Sequence, residues 1–119
     1  MRRWLIAVVM LVSGCSSKFG HVEKPVSGGN VQMGHDAIVR YGCGACHHIP
    51  GVEGADTFVG PPLNQFAQRH FIAGNLPNTA DNLIHWLQFP QLVEPGTAMP
   101  DMNVSEADAR HIAAYLYSR

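Results

Sequence analysis

Five consecutive residues, Cys43-Gly44-Ala45-Cys46-His47, restrict what this chain can fold into more than any other stretch. They set two thiols three positions apart and an imidazole directly after the second. A chain of 119 residues makes one domain at most. A core that small is marginal unless something staples it. The third and last cysteine, Cys15, stands far upstream, so the three cannot pair off into a disulfide framework. The staple is therefore expected to be Cys43, Cys46 and a third party that both thiols can reach.

Three chemistries use a C-x-x-C pair. Zinc needs two further ligands at suitable spacing, but no second cysteine pair follows, and His47 and His48 are adjacent and point apart. A redox dithiol needs a βαβ pattern around it, and none is visible. Covalent haem attachment accounts for all five residues. Thiols one helical turn apart can each add to one porphyrin vinyl group, and the residue after them can bind the iron from one face. Gly42, Gly44 and Ala45 are small, as a backbone pressed against a flat macrocycle requires. One such motif means one haem.

The N-terminus reads as an address. Arg2 and Arg3 precede an apolar run from Trp4 to Val12. That run is much shorter than the ~20 residues that cross a bilayer and fits a secretory h-region. Val12-Ser13-Gly14-Cys15 then resembles the lipobox of bacterial lipoproteins, in which the cysteine is lipidated after cleavage. The alternative is an ordinary signal with Cys15 left as a free thiol. The expected organisation is a signal peptide over 1–14, a lipid-anchored flexible tether over 15–32, and a folded domain over 33–119. The tether, with Ser27-Gly28-Gly29-Asn30 as its clearest stretch, would reach roughly 23 Å. The domain is thus expected on the periplasmic side of a bacterial membrane. A formal charge of −1 supplies no basic stripe for nucleic acid.

Iron held by His47 needs a ligand on its other face, and methionine is the usual partner in electron carriers. The candidates are Met99, Met102, His70, His85 and His111. Met99 lies in Pro95-Gly96-Thr97-Ala98-Met99-Pro100, a turn-rich segment that cannot be helical and can hold a thioether rigidly. Met102 is its competitor. The other histidines, and Arg69 beside His70, read as surface residues.

Four short helices are expected. The first runs over 34–41 with Ala37, Ile38 and Tyr41 on one face, and a second over 63–71. A third starts near Thr79, carries Leu83, Trp86 and Leu87, and stops at Pro90. The last is capped by Ser105, with Ala109, Ile112, Ala113 and Leu116 at helical spacing. No strand signal is visible, so the fold class is all-α: about four short helices around one covalent haem.

From about Met33 to Ser118 the chain resembles a class I cytochrome c, and is most similar to the cytochrome c domains fused to subunit II of some haem-copper oxidases. The resemblance rests on Cys43, Cys46 and His47, on Gly60-Pro61-Pro62-Leu63, and on Pro95-Gly96-Thr97-Ala98-Met99. It implies that the Pro61 carbonyl accepts from the second nitrogen of His47, that Thr97 meets a haem propionate, and that Trp86 packs beside Met99. It also implies crossed terminal helices. With His47 and Met99 both on iron, no position is left for a small-molecule substrate. The expected function is single-electron transfer between membrane-associated redox proteins of a respiratory chain, such as a dehydrogenase and a terminal oxidase. A haem peroxidase or gas sensor would need Met99 to leave. Docking is expected through uncharged neighbours of the haem edge: Ala45, Ile49, Pro62, Ala98 and Met102.

Overall fold

The first helix shows how early the packed chain begins. A computed structural model describes residues 24–119, and its first helix, α1, spans Val31–Arg40. It starts three residues before the expected position because Asn30 caps it, its side chain accepting from the Met33 N–H at 2.9 Å. Such a cap is worth about 1 kcal/mol. Residues expected in the tether are thus part of the domain. Lys24 Nζ donates to the Asn78 carbonyl at 2.8 Å, the Asn30 N–H donates to His111 Nδ1 at 3.0 Å, and Val26 packs against the core. Cys15, the signal and the rest of the tether lie outside the described residues.

The last helix, α4 (Glu106–Tyr117), crosses α1 and forms the floor of the fold. Gly34 makes the crossing possible: a Cβ there would lie 2.0 Å from the His111 carbonyl oxygen. Ala37 and Ile38 then bury against Ala109, Ile112 and Ala113. Ser105 caps α4 by accepting from the Asp108 N–H at 3.1 Å. The Asp108 carboxylate in turn accepts from the Tyr41 hydroxyl and from Arg40, each at 2.8 Å. The end of α1 is thereby tied to the start of α4. The Tyr41 hydroxyl bond is the main reason that the Asp108 carboxyl sits below the usual carboxylate range, with Ser105 and Arg40 adding to it.

Helix α2 (Ala80–Gln88) begins at Thr79, whose hydroxyl accepts from the Asn82 N–H at 3.2 Å, and it buries Leu83, Ile84 and Leu87 against α4. Pro90 stops α2 and opens the single turn of α3 (Pro90–Val93).

The expected helix over 63–71 does not form. Only a 3₁₀ turn, Phe66–Gln68, stands there, entered through Gln65 at φ +50° and left through an extended Arg69. A two-stranded antiparallel hairpin follows, β1 (Phe71–Ile72) with β2 (Leu76–Pro77), in which Phe71 faces Pro77 and Ile72 faces Leu76. Its loop has positive φ at Ala73 (48°) and Gly74 (86°), the handedness that tight hairpins need. Apart from this hairpin and an isolated bridge between His48 and Asp56, the regular structure of the described residues is helical.

Candidate functional site

The helix α1 ends at Tyr41, and Gly42 reverses the chain at φ +72° to launch a 3₁₀ turn over Cys43–Ala45. That turn, closed by the Cys46 and His47 N–H groups on the Cys43 carbonyl at 3.2 and 3.1 Å, carries both thiols to one cavity. The glycines act differently from what the sequence suggested. A Cβ at Gly42 would touch nothing within 4 Å, so its left-handed backbone is what matters there. Gly44 packs on Ala55, where a Cβ would lie 2.9 Å from the alanine Cβ. The glycine that closes on the site is Gly60, whose Cβ would lie 2.4 Å from His47 Cε1.

His47 is held from below by the segment that follows Gly60. The Gly60 N–H donates to the Cys46 carbonyl at 2.7 Å and the Leu63 N–H to the His48 carbonyl at 2.8 Å. This pairing presents the Pro61 carbonyl to His47 Nδ1 at 2.7 Å. A carbonyl can only accept, so Nδ1 carries the proton and Nε2 keeps a free lone pair. The imidazole is thus fixed in the tautomer and orientation of a ligand.

The cavity measures about 590 Å³, within the range of cofactor and ligand pockets. Cys43, Cys46, His47, Pro61, Trp86, Thr97, Met99 and Met102 all line it. His70, His85 and His111 do not: the first two are exposed, and His111 sits on the far side of α4's crossing with its Nδ1 engaged by Asn30. Two of the five candidate ligands therefore reach the cavity, Met99 and Met102. Thr97 Oγ accepts from the Met99 N–H at 3.3 Å, and Gln91 on α3 donates to the carbonyls of Thr97 and Met99 at 2.9 and 3.0 Å. Gln91 is a clamp that no local pattern announced.

Arg69 was expected at the surface and is instead half-buried at the cavity. Its guanidinium donates to the carbonyls of Pro62 and Asn64, and burial lowers its pKa. It is the one lysine or arginine lining the cavity among the described residues. His48 is half-buried and stacked on Phe58, with ring centroids 5.4 Å apart. Ile49 lines the cavity but is only 1% exposed, so it offers no contact surface at the cavity edge. Val59 and Phe71, 80% and 57% exposed, stand there instead.

The donor set fits a covalently held macrocycle better than a metal ion or a dithiol centre. No group of three or more His, Cys, Asp or Glu side chains converges on a metal position among the described residues. Burial pushes the Cys43 thiol up to about 11, which keeps it protonated at neutral pH. Two thiols, one oriented imidazole and one clamped thioether around an apolar space are what a haem c requires.

The comparisons agree. A family model described as cytochrome c matches residues 33–119. Over 108 residues the chain is 34% identical to a cytochrome c oxidase subunit 2 from Alkalihalophilus pseudofirmus, covering 90% of this chain and 30% of that protein. Over 105 residues it is 30% identical to a cytochrome c oxidase subunit 2 from Bacillus sp. (strain PS3), covering 85% of this chain and 30% of that protein. The chain therefore spans about 30% of the length of the curated relatives it matches. No solved structure matches. By its family match and its site, the chain belongs to the cytochrome c family of haem-carrying electron-transfer proteins.

Proposed function

We propose that this protein is a one-electron carrier that binds a single haem through thioether bonds to Cys43 and Cys46, with His47 and Met99 as the axial pair. The observation that carries the reading is the convergence of these four side chains on one apolar cavity. A haem held there supplies reversible Fe(II)/Fe(III) chemistry. The chain's own part is to keep the ligands still. Pro61 fixes the His47 ring, Gln91 and Thr97 clamp the Met99 loop, and Trp86 lines the same cavity. Little then has to reorganise when the charge changes. Apolar lining disfavours the extra charge of ferric iron and raises the potential, as does a thioether ligand. Arg69 is placed to balance an anionic cofactor edge.

Cys15 is proposed to carry lipid after removal of 1–14, which would hold the domain on the periplasmic side of a membrane. Redox proteins of that membrane are the proposed partners. The two relatives named as oxidase subunits favour a terminal oxidase as acceptor.

The test is direct. Haem should stay with the polypeptide in acidified organic solvent, and Met99→Ala should open the ferrous protein to carbon monoxide while Met102→Ala should not. Clean extraction of haem would end the covalent assignment, and the reverse mutant pattern would transfer the ligand to Met102.

A further inference from the structure

The described residues contain five lysines and arginines, and all five are engaged: Lys24 on the Asn78 carbonyl, Arg40 on Asp108, Arg69 on the carbonyls of Pro62 and Asn64, Arg110 on Glu106, and Arg119 over the Tyr115 ring. Among the same residues, four carboxylates have no ion-pair partner: Glu53, Asp81, Glu94 and Asp101. Their placement is uneven. Glu94 is exposed and lines the cavity, and Asp101 is exposed between the lining residues Pro100 and Met102. Both flank the Met99 loop. Val59 and Phe71, large apolar side chains left in water, line the same cavity.

We propose that this mouth is the docking surface for a redox protein with an apolar centre bordered on one side by lysine or arginine. The proposal rests on the electron-carrier reading and adds the polarity of its partner. Val59 and Phe71 supply the apolar contact, and Glu94 and Asp101 select the sign of charge beside it. An interface of this kind has an apolar centre and a charged rim that steers approach. A partner with an acidic rim would meet unpaired carboxylates at close range and be repelled.

Two outer-sphere oxidants of opposite charge test the sign. The reduced holoprotein gives one electron to tris(phenanthroline)cobalt(III), which becomes cobalt(II), or to hexacyanoferrate(III), which becomes hexacyanoferrate(II). Raising salt from about 0.01 M to about 0.15 M contracts the screening length from ~30 to ~8 Å. The rate with the cobalt cation should fall over that range, and the rate with the anion should rise. Glu94→Gln with Asp101→Asn should slow the cation by about threefold at low salt. Asp36→Asn, on the face of α1 opposite the cavity-lining Ile38, should change it far less although it removes charge equally per residue. Val59→Ser should slow the apolar cobalt complex at both salt concentrations. A redox-inert paramagnetic cation, tris(ethylenediamine)chromium(III), should broaden the amide signals of residues 94–102, and hexacyanochromate(III) should not. Equal salt dependence for both oxidants, or broadening by the anion, would overturn the proposal. Failure to reduce either oxidant would instead refute the carrier reading, while the chromium map would still decide the charge.

Discussion

Gln91 is the residue whose removal should most specifically loosen the proposed iron ligand. Its amide donates to the carbonyls of Thr97 and Met99 at 2.9 and 3.0 Å, and the side chain is exposed. Water can take up the carbonyls in Gln91→Ala, so each bond is worth only about 1 kcal/mol or somewhat less, and the pair about 1.5 kcal/mol. That is close to the ~1.4 kcal/mol that shifts an equilibrium tenfold. The equilibrium in question is local opening of the 95–100 loop, which moves Met99 away while the helices stay packed. Imidazole added to the oxidised protein can bind only when Met99 has left, so its apparent affinity reports the opening directly. Gln91→Ala should therefore bind imidazole about tenfold more tightly, with a smaller change in global unfolding. In a Met99→Ala background, where no opening is needed, the same change should have no effect. A shift under twofold, or an equal shift in the Met99→Ala background, would show that Gln91 does not clamp the ligand.

Three further outcomes are expected. Gly60→Ala puts a Cβ 2.4 Å from His47 Cε1 and should turn the ring off the Pro61 carbonyl, seen as altered imidazole proton shifts in the reduced holoprotein; unchanged shifts would refute the cradle. Gly34→Ala drives a methyl into the His111 carbonyl and should cost roughly 3 kcal/mol or more in chemical denaturation, against the few tenths of an ordinary helix substitution. Tyr117 donates to the buried Asn78 at 2.8 Å, and burial pushes its hydroxyl from 10.0 to about 12. The unfolded chain releases this proton first, so its stabilisation is complete below pH 10 and is lost as pH rises toward about 12. Tyr117→Phe should flatten that decline, and an unchanged slope would rule the linkage out.

What could be read from the chain alone was local. The thiol pair, its histidine, the proline-bounded methionine segment and the apolar stripes of α1, α2 and α4 each lie within one or two turns of sequence. Periodicity or spacing exposes such patterns. The hairpin Phe71–Pro77 escaped because its strands are two residues each, too short for any alternation, although Gly74-Asn75 marked a turn. The roles of Gly60, Arg69 and Gln91 escaped for another reason: each acts on a segment that folding alone brings near. Gly44 shows the same limit from the other side. Its small size was legible, but the object it makes room for is Ala55, and nothing in the motif says so. Buried Asn78 is the extreme case, since its amide serves Phe66 and Arg69 while its oxygen serves Tyr117.

Lys24 changes the geometry of the proposed anchor. If the fold began at residue 33, eighteen residue steps would separate it from Cys15, and full extension would allow about 60 Å. Fastening at Lys24 leaves nine steps, or about 30 Å. The fastening point also has a side. Lys24 reaches the carbonyl of Asn78, the residue after β2, and β2 pairs with the strand that carries Phe71 to the cavity mouth. A lipid on Cys15 would therefore hold the apolar hairpin side of the mouth nearer the bilayer than the reach of a free tether implies. The carboxylates Glu94 and Asp101 belong to the Met99 loop. An anchored carrier built this way searches for its partner within a shell about half as deep. In that shell a partner fixed in the same membrane meets the mouth at high effective concentration, so modest docking contacts suffice for transient electron transfer.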